Sequence, residues 1–279
     1  MKDVSNAMRA HILTAAVPYI KQYTDQYVVV KYGGNAMIDE ELKKSVMKDL
    51  MLLQLVGVKV VLVHGGGPAI NSTLDAMKIE SRFANGLRVT DEATMDVVQM
   101  VLAGKVNKGL VADLTDLGGK AVGLCGVDGN MIQAHKQNDE LGYVGSIDTI
   151  DTSIIDDVIS RGYIPVISSI GMGADGKTYN INADTVAAKI AGALKAETMV
   201  AMTNIDGVLR DVHDPSSLIS KITMAEAEQL KADGIIAGGM ICEGGEWRQK
   251  PSHDDPEIIG VARAMADPDN QQAEFAILV

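Results

Sequence analysis

"VVVKYGGNAM" (Val28–Met37) and "VLVHGGGPAIN" (Val61–Asn71) carry one pattern twice. A short run rich in β-branched residues stops at a cluster of glycines. Such a run, without polar alternation, predicts a strand buried on both faces, as in a parallel sheet. Between the two lies "EELKKSVMKDLMLLQLVG", which has helical spacing and closes at Gly57. After the second run, "PAINSTLDAMK" opens a further helix, with Pro68 near its first turn. Strand, glycine loop and helix in repeated order argue for an α/β fold: a parallel sheet with helices on its faces.

The pattern extends outward from there. "AMRAHILTAAVPYIKQYTD" places Met8, Ile12, Leu13, Ala16, Val17 and Ile20 at helical spacing, which predicts an amphipathic helix with a kink or break at Pro18. "DEATMDVVQMVLAGKVNKGLVADLTDLG" is a long helical stretch, either one helix or two around Gly104. "KAVGLCG" is a strand, and two turn-rich segments over residues 128–151 predict hairpins. "IDDVISRGYIPVISSIGMGADGKTYNINAD" reads as helix, strand and glycine-rich loop. "ADTVAAKIAGALKAE" is a helix of small residues, "TMVAMTNIDGVLRD" a strand and loop, and "ITMAEAEQLKADGII" a helix. No repeat, low-complexity tract or Ser/Gly linker interrupts the chain, so any domain boundary is packed and falls near residues 175–190.

Composition narrows the function classes. The 279 residues are 47% hydrophobic, which is globular, yet only 4% aromatic, so aliphatic side chains must fill the core. The net charge of −12 argues against a general binder of nucleic acid or anionic membrane. Two cysteines, Cys125 and Cys242, make neither a disulfide framework nor a metal site, which suits the reducing cytoplasm. No apolar run approaches the length of a membrane span.

Several constellations carry possible chemistry. Lys31 ends a strand just before Gly33-Gly34. In open α/β sheets ligands gather at the carboxyl ends of strands, and glycines let backbone N–H groups approach phosphate closely. A lysine there neutralises a phosphoryl group; the alternative is a surface lysine beside a tight turn. Gly65-Gly66-Gly67 before a helix makes a cradle for an anion or carbonyl, although it matches neither a P-loop nor GxGxxG. His64 reads as a packed strand-end residue. Arg88 offers a bidentate fork for a carboxylate, or else an ion pair with Asp91 or Glu92. Asn180, Asn182 and Asp184 alternate, so they share one face if the segment is extended; Asp184 is alternatively the cap of the next helix. Thr203, Asn204 and Asp206 form either a nucleotide-contacting loop or an ordinary Asp-Gly turn.

In this order, "VVVKYGGNAM", "VLVHGGGPAIN", "GLRVTD", "NINAD", "MTNIDGVL" and "GGM" resemble the amino-acid kinase family, over about residues 8–241. The match is nearest to those members that phosphorylate N-acetyl-L-glutamate in arginine biosynthesis. "KYGGNAM" and "GLRVTD" set the chain apart from carbamate kinase and aspartokinase. The resemblance implies a three-layer α/β/α fold with a mainly parallel central sheet. It implies an oligomerising helix over 1–25, a substrate half over 26–180, a nucleotide half over 181–241 and an atypical tail over 242–279. By the same resemblance, Lys31 stabilises the transferring phosphoryl group and Asp184 orients the catalytic lysines. The backbones of Gly66 and Gly67 bind the substrate, and Arg88 and Asn180 hold its carboxylate end. Gly33, Gly34, Thr203, Asp206 and Gly207 belong to the ATP site, with Mg²⁺ held mainly by the nucleotide and no metal ligands in the chain. The implied partners are small-molecule substrates and further copies of the chain, as a dimer or hexamer, with no nucleic acid and no membrane. The N-terminal helix resembles that of arginine-inhibited members; its alternative is packing on its own subunit.

The resemblance stops after "GGMI". A second catalytic lysine is implied at position 243, and Glu243 stands there. A carboxylate at that point repels phosphate. "CEGGEWRQK" can be encoded so that reading one base later gives "AKVENGVK", which resembles the family's continuation with its lysine in place. The expectation is either a frameshift or a genuinely divergent C-terminus, which the gene's DNA through codon 242 tests: no family-like continuation in the alternative frame refutes the frameshift. Two other readings follow, a substrate- or arginine-binding homologue without turnover and a sister kinase acting on another carboxylate or carbamate.

Overall fold

The computed structural model describes residues 5–33, 37, 39–84, 86–202, 208–211, 213–219, 221–235, 258–263 and 275–278. The parallel core of the main sheet consists of β1 (Tyr27–Tyr32), β2 (Lys59–His64), β5 (Ala121–Cys125), β8 (Ile164–Ser168) and β11 (Thr198–Met202). Their order is β11-β1-β2-β8-β5, each neighbouring pair parallel. Beyond β11 the sheet continues antiparallel through β14 (Phe275–Leu278), β13 (Ile258–Arg263) and β12 (Lys221–Thr223). The sheet therefore runs across the expected division at residue 180, since β1 and β11 are direct neighbours.

Strand alternation decides which layer each side chain meets. Val28, Val30 and Tyr32 point to one face, with Val60 and Leu62 of β2. They pack under α2 (Glu40–Leu55) and α5 (Asn107–Asp116), against Val46, Met47, Leu50, Leu110 and Leu114. Val29, Val61 and Val63 point to the other face and meet α6 (Ser153–Ser160) and α7 (Ala183–Leu194) through Ile155, Val186 and Ile190. The three valines are fully buried; each contributes about 1.5 kcal/mol or more relative to exposure. Three layers result, as the glycine-ended strands predict.

The remaining elements shape the carboxyl edge of the sheet. α3 (Gly67–Met77) follows β2 directly, and the hairpin β3 (Arg82–Ala84) and β4 (Leu87–Val89) leads to α4 (Glu92–Gln99). A second sheet of order β10-β9-β6-β7 is made from β6 (Ile132–Lys136), β7 (Gly145–Ile150), β9 (Ile170–Met172) and β10 (Thr178–Asn180). β6 and β7 form a hairpin, as the turn-rich segments predict. The glycine-rich loop expected after β8 instead contains the antiparallel pair β9 and β10, strands too short for a period-two signal. α8 (Met224–Ala232) starts at a capping box between Thr223 and Glu226.

The break expected at Pro18 is corrected, and of the two readings around Gly104 the undivided one holds. α1 (Asn6–Tyr23) continues through Pro18 as a single helix, with no buried residue. Proline removes one N–H donor from the helix, so the carbonyl of Thr14, an exposed residue, receives no bond from position 18. The stretch around Gly104 does not divide there. α4 passes into a π-helical segment, Met100–Val106, and then into α5.

Candidate active site

Lys31 lies one residue from the end of β1, and alternation puts it on the α7 side with Val29. Its Nζ is 3.0 Å from Oδ1 of Asp184, in the first turn of α7. The cap of α7 is Asn182, whose Oδ1 accepts from the N–H groups of Asp184 (2.8 Å) and Thr185 (3.1 Å). That corrects the cap reading of Asp184 and explains why its carboxylate reaches Lys31. The shared extended face of Asn180, Asn182 and Asp184 is also corrected, because helical geometry takes over at Ala183.

The glycines converge on the same point. A Cβ on Gly33 would lie 3.6 Å from Lys31 Nζ and 3.7 Å from the N of Gly65. One on Gly65 would lie 3.3 Å from Ala183 Cβ, and one on Gly66 would strike Leu102 Cδ2 at 2.7 Å. Among the described residues nothing lies within 4 Å of a Cβ added to Gly67. Gly66 caps α3 without a side chain, so the positive end of that helix faces the site unshielded. Lys31, Asp184 and the two glycine turns thus surround one position at the carboxyl ends of β1 and β2. Gly34, Thr203, Asp206, Gly207 and Glu243 lie outside the described residues.

Arg88, on β4, is buried. It donates to Ser81 Oγ and, at 2.6 Å, to Asn71 Oδ1, with its guanidinium 4.7 Å above the Phe83 ring. Burial pushes its pKa down, yet an arginine stays charged. It does not pair with Asp91, which instead caps α4 by accepting from Thr94 N–H at 2.8 Å. Among the described residues no carboxylate neutralises it. Asn180, at the end of β10, donates to Thr90 Oγ1 at 3.2 Å, and that hydroxyl donates to the carbonyl of Arg88. Buried Thr90 thereby ties Asn180 to the Arg88 strand, while the described contacts leave both apart from the Lys31–Asp184 pair.

His64 is wholly buried, as expected of a packed strand end. Its Nδ1 lies 2.9 Å from the carbonyl oxygen of Gly65, and its Nε2 lies 3.0 Å from Asn107 Nδ2. Asn107 Nδ2 also faces the carbonyls of Val166 (2.8 Å) and Leu124 (3.2 Å), and its Oδ1 accepts from Lys108 Nζ at 3.0 Å. Burial, the largest cause, lowers the imidazole pKa from 6.5 to about 4. Between those values the unfolded chain binds a proton that the folded chain refuses, so stability falls as pH drops through this window. Denaturant melts at pH 7 and pH 5 should show the wild type losing about 2 kcal/mol more than His64→Asn. An equal loss in both proteins would contradict a neutral buried His64.

Asn71, Thr90 and Asn107 escaped the sequence reading. Only Asn107 leaves a signal: it shares one apolar helical face with Leu110 and Leu114, and a polar residue there needs buried partners. Among the described residues no three His, Cys, Asp or Glu side chains gather as a metal site, and no helix is long and apolar enough to cross a membrane.

Residues 26–242 match the amino acid kinase family, and the chain belongs to it. The match ends one residue before Glu243. The chain is 52% identical over 236 residues to the acetylglutamate kinase of Caldanaerobacter subterraneus subsp. tengcongensis, covering 84% of this chain and 79% of that one. It is 55% identical over 234 residues to the acetylglutamate kinase of Clostridium kluyveri, covering 83% of each. Among solved structures, smu.665 from Streptococcus mutans superposes with a TM-score of 0.69 at 31% identity, over 77% of this chain and 85% of that one.

Proposed function

We propose that this protein transfers the γ-phosphoryl group of ATP to the side-chain carboxylate of N-acetyl-L-glutamate, in arginine biosynthesis. Its relatives at 50% identity and above share that activity by name. The observation that carries the site is the Lys31–Asp184 pair between two glycine turns at the carboxyl edge of the sheet.

The chemistry asks little of the protein beyond position and charge. A carboxylate oxygen of the substrate forms a bond to the γ-phosphorus as the bridging β–γ P–O bond breaks, and ADP leaves with the electron pair. The nucleophile is already ionised at neutral pH, so no general base is required. Lys31 neutralises the transferring phosphoryl oxygens, Asp184 holds Lys31 in place, and the N–H groups of Gly66 and Gly67 bind the substrate side. Residues Gly33, Gly34, Thr203, Asp206 and Gly207 contact ATP in this reading. Mg²⁺ would enter with the nucleotide, since among the described residues no three His, Cys, Asp or Glu side chains gather to hold it, and would supply charge neutralisation. Asp184 serves as an orienting group and not as a proton acceptor.

Buried Arg88, without a carboxylate partner among the described residues, supports a role in holding the substrate's carboxylate end, with Asn180 tied to its strand through Thr90. Arg88→Ala should raise the KM for N-acetylglutamate about tenfold or more and change kcat little, because ground and transition states share that contact. An unchanged KM removes Arg88 from the site.

ADP release measured across N-acetylglutamate, aspartate and carbamate tests the activity itself. Turnover confined to N-acetylglutamate supports the proposal; turnover with another acceptor replaces it by a sister kinase. Glu243 favours one second reading, a homologue that binds substrate without turnover. Calorimetric binding of N-acetylglutamate without ADP release identifies that case. The exposed Met8, Ile12, Leu13 and Val17 of α1 support a homo-oligomer, dimeric or hexameric, and two cysteines without a disulfide framework suit the cytoplasm.

A further inference from the structure

Three observations meet at the peptide joining Gly65 to Gly66. The N–H of Gly65 donates to the carbonyl of Tyr32 at 3.2 Å, which fastens the start of the turn to β1. The carbonyl of Gly65 lies 2.9 Å from His64 Nδ1. A carbonyl only accepts, so Nδ1 carries the ring's proton, and Nε2 accepts from Asn107. Burial keeps the ring neutral, which allows one ring N–H and no more. Asn107 cannot turn over without setting its oxygen against the carbonyls of Leu124 and Val166. The amide of one side chain therefore selects the tautomer of another, and that tautomer selects the orientation of the Gly65–Gly66 peptide.

A trans peptide points its C=O and N–H in opposite directions, and the described chain has no cis peptide bond. Drawing the Gly65 carbonyl in toward His64 turns the Gly66 N–H outward. Among the described residues nothing accepts from that N–H. Gly66 is also clamped from behind, since Leu102 and Val106 of the π-helical segment leave no room for a Cβ. That segment ends at Val106, immediately before Asn107, so one stretch of chain supplies both the clamp and the anchor of the ring.

We propose that His64, locked by Asn107, is a positioning residue that sets the Gly66 N–H toward the bound substrate. This rests on the assignment of Gly66 to the substrate site, and the test separates the two. His64→Asn retains a donor where Nδ1 stood and loses the Nε2 contact. His64→Gln retains a polar group near Nε2 and loses the donor to Gly65. A role in packing alone ranks the larger glutamine as the milder change; positioning ranks asparagine as the milder.

N-acetylglutamate binding by calorimetry is the first readout, on the full chain. The expected result is affinity within about threefold of wild type for His64→Asn and at least about tenfold weaker for His64→Gln. Equal affinities, or the reverse order, overturn the proposal. The second readout needs no ligand: in protein labelled with ¹⁵N-glycine, the Gly66 amide resonance should move in His64→Gln and stay near its wild-type position in His64→Asn. Wild-type protein that shows no binding refutes the substrate assignment, while the amide resonance still decides whether His64 orients the peptide. If His64→Gln does not fold, Asn107→Ala takes its place, since it frees the ring from its other side. An unmoved Gly66 resonance in Asn107→Ala then counts against the proposal.

Discussion

Lys31→Ala should lower kcat by about a hundredfold or more, the scale of losing one charge stabiliser in the transition state. The KM for N-acetylglutamate should change little, because the role proposed for Lys31 is at the transferring group and not at the acceptor's distant end. Folding should survive. The Lys31–Asp184 pair is partly solvated, with side-chain exposures of 15% and 32%, and such pairs contribute at most about 1 kcal/mol. Lys31→Arg should not restore turnover, since a planar fork does not occupy the place of a compact ammonium beside Gly33 and Gly65. The measurement is ADP release against the wild type, with a thermal melt to show that the fold is intact. Near-normal turnover in Lys31→Ala would remove the lysine from the mechanism.

Gly142→Ala should destabilise the protein by about 3 kcal/mol, from left-handed backbone strain together with a backbone clash that forces the chain apart. Gly142 has φ of +69°, and a Cβ there would lie 2.4 Å from the carbonyl oxygen of Thr90. No side-chain rotation relieves contact with a backbone oxygen. Thr90 is buried, bridges to Gly142, and carries the hydrogen bonds to Asn180 and Arg88. The substitution should therefore weaken N-acetylglutamate binding as well as the fold. Gly86→Ala is the control: its φ of +82° is equally left-handed, but among the described residues nothing lies within 4 Å of its added Cβ. It should cost about 1 kcal/mol, from backbone strain alone. Equal losses in urea melts of the two variants would show that the contact with Thr90 plays no part.

Much of this architecture was legible from local pattern. The runs before Gly33 and Gly65 are unbroken and β-branched because both faces of β1 and β2 are covered by helices. The short strands β9 and β10 were not legible, since three residues each are too few to show a period. The π-helical segment was also hidden, because its composition is that of an ordinary helix. At the site, the ambiguity over Asp184 was local: Asn182 and Asp184 are both good caps, and only the geometry of α7 shows which one serves. Arg88 posed the same problem, with acidic neighbours close in sequence that turn elsewhere in space.

The sequence by itself determined the parallel sheet, the glycine turns at its carboxyl edge and the place of Lys31 at the end of β1. Those follow from periodicity and backbone chemistry, which act over a few residues. Tertiary structure alone decided that α7 brings Asp184 to Lys31, that Arg88 is buried with no carboxylate partner among the described residues, and that Asn107 holds His64 beneath the glycine turn. Periodicity tells each element which face to bury. Which elements then meet is settled by packing, once burial of those faces has drawn distant parts of the chain together.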